Sequence, residues 1–153
     1  MASGPERFAA RAALLGFTPA IRVFDRPTRT AEEAAAAIGC DVSRIVKSLI
    51  FADEAGEAAL LLVSGPNLVD VAAVRAAGGP SLRRPDAAFA RSASGFAIGG
   101  VPPFGHDAPL RCRIDPDLEG GELWAAAGAP NAVFPIGWAD LVRLSGGVVG
   151  PIR

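Results

Sequence analysis

Ile45-Val-Lys-Ser-Leu-Ile-Phe51 is an apolar run broken only by Lys47 and Ser48, and after Ala52-Asp-Glu-Ala-Gly56 the chain resumes as Ala58-Ala-Leu-Leu-Leu-Val63. Two short apolar runs joined by a turn predict a hairpin of buried strands. Side chains alternate along a strand, so Ile45, Lys47, Leu49 and Phe51 share one face while Val46, Ser48 and Ile50 share the other. With both faces apolar, the first strand belongs near the centre of a sheet covered on both sides. Lys47 is the anomaly there, because lysine is rarely buried without a partner. It either lines a cavity or marks a place where the strand opens to solvent. Composition sharpens the point: of 15 cationic residues, 14 are arginine and Lys47 is the one lysine. Ala, Gly, Arg and Pro are abundant, as GC-rich codons would produce, and surface lysines drift to arginine under that bias. A position that keeps lysine needs what arginine lacks, a compact ammonium with rotatable donors.

Around the hairpin the chain alternates helices and short strands in blocks. Ser3-Gly-Pro-Glu6 and Thr30-Ala-Glu-Glu33 have capping-box spacing and open two helices, the first running to Leu15 before Gly16 and the second to Ile38 before Gly39. Both are expected on one face of the sheet. Ala20–Phe24 reads as a short strand. Asn67 is positioned to cap a helix through Leu68, Val71, Ala72 and Val74, and Asp86 a shorter one through Arg91. Leu110–Ile114, Glu122–Ala126 and Asn131–Pro135 are strand candidates separated by Asp-Pro, Gly-Gly and Gly-Ala-Pro turns, and Trp138–Leu144 is a short helix. Helices and hairpins in blocks predict an α+β domain around a mixed, mostly antiparallel sheet. A length of 153 residues fits one domain spanning 1–153.

Charge and cysteine content narrow the function. Fifteen basic residues stand against 16 acidic ones, a net charge of −1, so no global field gathers a polyanion and any nucleic acid must be held locally. Cys40 and Cys112 have no metal-like spacing, which excludes zinc and iron–sulfur chemistry and points to reduced thiols. The first residues carry no secretory pattern, and the longest apolar runs fall short of the roughly 20 residues a membrane helix needs. A soluble cytoplasmic protein that uses neither metal nor cofactor is the expectation.

Gly95-Phe-Ala-Ile-Gly-Gly-Val-Pro-Pro-Phe-Gly-His106 is the second unusual segment. Glycines let backbone N–H groups approach an anion or polarised carbonyl, and prolines stiffen such a loop; a tight buried turn has the same composition. It is neither a Walker loop nor a dinucleotide fingerprint. His106 is the one histidine, and a hydrogen bond within the loop suits it better than general-base work. No serine lies in a Gly-x-Ser-x-Gly context. Cys40, Cys112, Trp124 and Trp138 read as packing residues.

Leu15-Gly-Phe17, Ile38-Gly-Cys40, Arg44-Ile-Val-Lys-Ser-Leu49, the 95–106 loop, Ala126-Ala-Gly128 and Ala139-Asp-Leu-Val-Arg-Leu144 together resemble the YbaK/prolyl-tRNA-synthetase-associated domain family, in the family's order and over nearly the whole chain. The resemblance implies that family's fold, a barrel-like mixed sheet flanked by helices, and an aminoacyl-tRNA deacylase that hydrolyses mischarged tRNA. It implies Lys47 as the catalytic lysine. It also implies a substrate-binding set of Ser48 beside it, Gly99, Gly100, Val101 and Pro103 of a Gly-x-x-x-Pro loop, His106 at the loop's end, and Gly128 lining the pocket. Ser48 stands where branches acting on alanine carry Asn and the cysteine branch carries Thr, so the amino acid removed stays open. The first expectation is trans-editing of tRNA(Pro) charged with alanine or a 2-aminobutyrate-like residue. Removal of cysteine from tRNA(Pro) is the alternative, and a non-catalytic module binding the tRNA acceptor end is a third reading. The expected partners are mischarged tRNA and, transiently, prolyl-tRNA synthetase.

Overall fold

The computed structural model describes residues 2–153. The predicted hairpin forms as β2 (Ile45–Asp53) and β3 (Ala58–Ser64), paired antiparallel from Val46↔Ser64 to Ala52↔Ala58. Around it, β1 (Arg22–Val23), β4 (Leu82–Arg83), β5 (Arg111–Ile114), β6 (Glu122–Ala126), β7 (Ala132–Gly137) and β8 (Val148–Val149) complete a sheet of order β1-β7-β6-β2-β3-β5-β8, with β4 also on β2. Pairings are antiparallel for β1·β7, β2·β3, β2·β4 and β6·β7 and parallel for β2·β6, β3·β5 and β5·β8. The sheet is therefore mixed. It does not close into a barrel: β1 and β8 end the order, and each is a two-residue, exposed strand. Pro135 lies within β7 because β1 pairs only with Ala132 and Val133, so the missing N–H interrupts no ladder on that side.

Side-chain alternation on β2 sorts the core into two faces. Val46 and Ile50 join Leu60, Leu62, Leu123, Ala125, Phe134 and Ile136 beneath α1 (Gly4–Leu14) and α5 (Trp138–Ser145). Phe8 of α1 packs on Phe134 and Phe104 with ring centroids 4.8 and 5.4 Å apart. On the opposite face Phe51, Leu61 and Val63 meet Val74 of α3 (Val71–Ala76) and Ile152 near the C-terminus. Ile45 and Trp124 there meet Ala34 and Ala35 of α2 (Ala31–Ile38). The first two helices thus lie on opposite faces, not on one as expected, because α2 packs on residues one position out of phase with Val46 and Ala125.

Local chemistry sets the helix ends. Thr30 Oγ1 accepts from the Glu33 N–H at 3.1 Å, while Glu33 reaches back to the Arg29 N–H at 3.0 Å. Asp86 caps α4 (Ala87–Ser94) through the Phe89 N–H at 2.8 Å. The expected cap at Asn67 is displaced: Asp70 caps α3 through the Ala72 and Ala73 N–H groups, and Leu68 stays 75% exposed outside the helix. Asn67 is used elsewhere, beside Lys47.

Phe134 is fully buried among three other aromatic rings. Phe134→Ala is expected to cost about 3–5 kcal/mol in urea unfolding, the range for emptying such a site.

Candidate active site

The site originates where two strands part. β6 pairs with β2 only at Ile45 and Val46, and β4 joins β2 only at Ala52 and Asp53, so that edge of β2 is unpaired between them. The Asp53 N–H donates to Glu57 O at 2.8 Å and the Gly65 N–H to Ile45 O at 2.9 Å, which fixes the odd-numbered residues as those whose backbone faces β3. The backbone groups of Ser48 and Ile50 consequently point into the gap. A cavity of about 710 Å³ occupies it. The start of α2, the Gly65–Leu68 turn, the Arg84–Asp86 segment, the 98–101 loop and the ends of β6 and β7 wall it in.

Lys47 lies half-buried in this wall, and its Nζ donates to the main-chain carbonyl of Asn67 at 2.5 Å. Burial pulls the ammonium's pKa below the usual lysine value; Glu32 and Asp115 oppose that shift, and Arg84 adds to it. Ser48 is on the opposite face of the strand, where its hydroxyl is buried and, among the described residues, has no hydrogen-bond partner. The cavity wall also includes the apolar Ile50, Val101, Ala125 and Ala132. The rim carries charges of both signs, Arg29 and Arg84 with Glu32 and Asp86. Among the described residues no group of three His, Cys, Asp or Glu side chains could hold a metal ion.

The candidates from the sequence divide between the wall and what stands behind it. Lys47, Ser48, Gly99 and Val101 line the cavity. Gly100, Pro103, His106 and Gly128 do not. The Gly100 N–H donates to Ala97 O and its carbonyl accepts from the Gly128 N–H, each at 2.9 Å, so both groups are spent on the loop. Gly128, at φ +101°, is pressed against Gly4 at the start of α1, where a side chain would meet backbone. Pro103 is buried in the loop, and His106 Nε2–H donates to Pro102 O at 2.7 Å. Burial lowers the His106 pKa, the Pro102 carbonyl opposing it. Asn67 and Asp115 were not identified as site residues from sequence. Asn67 carried a capping signal and Asp115 a turn signal, and across their separation of 48 positions no periodicity would bring them together.

Residues 25–144 match the aminoacyl-tRNA editing domain family. The chain belongs to that family. The Bacillus subtilis (strain 168) protein YwhH, itself uncharacterized, is 36% identical over 123 residues, covering 80% of this chain and 78% of its own length. A crystal structure described as a candidate trans-editing enzyme for prolyl tRNA synthetase superposes with a TM-score of 0.90 at 42% identity, covering 100% of this chain and 98% of its own. The hypothetical protein APE2540 superposes with a TM-score of 0.85 at 28% identity over 94% and 97% of the two chains. Membership of the editing domain family supports an aminoacyl-tRNA deacylase role, and the split in the sheet is where this editing domain has its cavity.

A Cβ at Gly100 would lie 2.6 Å from Ala129 Cα, a backbone atom that cannot turn aside. Gly100→Ala is therefore expected to destabilise the editing domain by about 1–3 kcal/mol, the usual cost of overpacking. Melting temperature and activity measured on one sample should fall together.

Proposed function

We propose that this editing domain acts in trans on mischarged tRNA(Pro) bearing a small amino acid, alanine or 2-aminobutyrate-like, with Lys47 as its catalytic residue. The observation that carries the reading is the one lysine of the chain, half-buried in the wall of the cavity and held by a neutral carbonyl. An ammonium so placed can stabilise the oxyanion that develops as an ester carbonyl is attacked. Ser48 and Ile50, whose backbone groups face the gap, offer N–H donors beside it. The attacking oxygen comes from water or is activated by the terminal ribose hydroxyl. In the net reaction water's hydroxyl goes to the acyl carbon, the bond from that carbon to the ribose oxygen breaks, and a proton goes to that oxygen. No protein nucleophile is needed.

In this reading Ser48, Gly99 and Val101 contact the aminoacyl group, and Gly100, Pro103, His106 and Gly128 hold the wall in place. The cavity has room for an aminoacyl group and part of its nucleoside, within the usual range of roughly 300–1,000 Å³ for small-molecule sites. Exclusion of proline therefore falls to the apolar part of the wall that includes Ile50, Val101 and Ala132. Mischarged tRNA is the partner, met where prolyl-tRNA synthetase releases it in the cytoplasm, and association with the synthetase is transient.

One observation favours a second reading, removal of cysteine. The Ser48 hydroxyl is buried and, among the described residues, has no hydrogen-bond partner. Leaving a buried polar group unmade costs about 1–3 kcal/mol, and a thiol can relieve it where a methyl cannot.

Lys47→Ala is expected to lower the rate of deacylation by at least about 10²-fold, the loss for one oxyanion donor, with the melting temperature retained. Lys47→Arg should fail too, since a planar fork does not replace a compact ammonium. Initial rates on tRNA(Pro) charged with alanine, 2-aminobutyrate, serine, cysteine and proline, at fixed salt, test the substrate. Alanine and 2-aminobutyrate should be removed fastest and proline spared. Fast loss of proline, or no hydrolysis of any charged tRNA, overturns the assignment, and the second outcome with tRNA still bound leaves a binding module.

A further inference from the structure

We propose that Asp115 and Asn67 are positioning residues that set the place of the Lys47 ammonium by clamping the turn that carries its acceptor. The proposal rests on the reading of Lys47 as catalytic. Asp115 follows β5 and is 1% exposed. Its Oδ2 accepts from the Ser64 N–H at 3.0 Å and from Asn67 Nδ2 at 2.8 Å, and its Oδ1 accepts from the Asp117 N–H at 2.9 Å. The Asn67 amide also donates to Asp117 Oδ2 at 2.8 Å, and the Asn67 N–H closes the turn on Ser64 O at 2.9 Å. One buried carboxylate thus grips both ends of the Ser64–Asn67 turn. The main-chain carbonyl of that turn, Asn67 O, is the group on which Lys47 Nζ rests.

The residue types fit this task better than a packing task. Burying a carboxylate is costly unless its lone pairs are satisfied, and here backbone and amide donors satisfy them without an ion pair. An asparagine at 115 has one acceptor oxygen, so it could not serve Oδ1 and Oδ2 partners together. The carboxylate also acts through space on the half-buried ammonium. The charged groups acting on Lys47 are Glu32 from α2, Arg84 after β4 and Asp115 after β5; Glu32 and Asp115 favour the ammonium and Arg84 disfavours it. Removing the charge at 115 therefore moves the loss of the ammonium to lower pH. The outer side of the clamp is fastened by Arg153, whose guanidinium donates to Asp117 Oδ2 at 2.8 Å, and by the Asp70 N–H on Ile152 O at 2.7 Å.

The test compares Asn67→Ala, Asp115→Asn, Lys47→Ala and the destabilised control Leu141→Ala, a fully buried core position on α5. Each is assayed on mischarged tRNA(Pro) well below its melting temperature, and kcat, KM and the alkaline limb of the rate profile are read after subtracting spontaneous hydrolysis. Asn67→Ala, which keeps the main-chain acceptor but frees the turn, should lose roughly 10- to 100-fold in kcat with KM unchanged, as expected for a displaced catalytic group. Asp115→Asn should lose kcat similarly and move its alkaline limb to lower pH, while Leu141→Ala shows neither effect. If Asp115→Asn does not fold, the kcat of Asn67→Ala decides. Normal kcat in the clamp variants while Lys47→Ala is inactive overturns the clamp and spares Lys47. So does a loss confined to KM, or a loss that Leu141→Ala reproduces. An active Lys47→Ala overturns the reading beneath both.

Discussion

The site depends on one break in hydrogen bonding. β2 is nine residues long, yet β6 pairs with only its first two and β4 with only its last two on the same edge. Unpaired backbone in a protein interior is unfavourable, so such an edge survives only where water or a ligand can reach it. The cavity provides that access. It also explains how one strand lines a pocket with both of its faces: Lys47 and Leu49 stand on one side of the gap, Ser48 and Ile50 on the other. A continuous sheet would have buried the lysine between β2 and α2 with nothing to solvate it. Parallel pairing at β2·β6 helps make the break possible, since the long crossover between these strands lets β6 turn away without straining a tight hairpin.

At the gap the ammonium is partly desolvated, which lowers its pKa, and the carboxylates of Glu32 and Asp115, which form no ion pair with it, oppose that shift. A direct ion pair would have set a compensating negative charge against Nζ. The carbonyl of Asn67 instead leaves the full positive charge available while fixing its position, and Glu32 and Asp115 act through space. This arrangement favours lysine over arginine on geometry as well as charge. One carbonyl at the floor of a turn satisfies one of three rotatable donors and leaves two for a ligand, whereas a guanidinium would need a wider, planar set of acceptors.

Much of this was legible in the chain. The β2–β3 hairpin, its two apolar faces and the oddity of Lys47 follow from alternation, and Ser3 and Thr30 cap α1 and α2 through the Glu6 and Glu33 N–H groups, as their spacing implies. Long-range partnership was not legible. Asn67 has the composition of a cap, but Asp70 is closer to the apolar turn of α3, and the amide of Asn67 is drawn to two carboxylates some fifty positions away. β4 and β8 are two-residue strands that pair through position in space with no periodicity of their own. Gly100 and Gly128, which the family resemblance places at the pocket, stand behind its wall for a related reason. Both glycines reflect a need for close approach, but the neighbour in each case is the protein's own backbone, at Ala129 and Gly4, and sequence does not distinguish that neighbour from a substrate.

The loop from Gly95 to His106 shows how such glycines still serve the site. Phe96, Val101 and Phe104 are sunk in the main core, and the arginines of α1 hold the loop from outside: Arg7 donates to Gly95 O at 2.6 Å and Arg11 to Gly105 O at 3.2 Å, with Asp107 bridging both guanidiniums. His106 closes the segment on Pro102. The loop is thus fixed at its hydrophobic anchors, its polar ends and its internal turn before any ligand arrives. Only Gly99 and Val101, with neighbouring Ile98, reach the cavity, and they do so from a backbone that has little freedom left to lose. A wall of this kind resists small displacements. The shape of the cavity on this side is thus held by residues that do not line it.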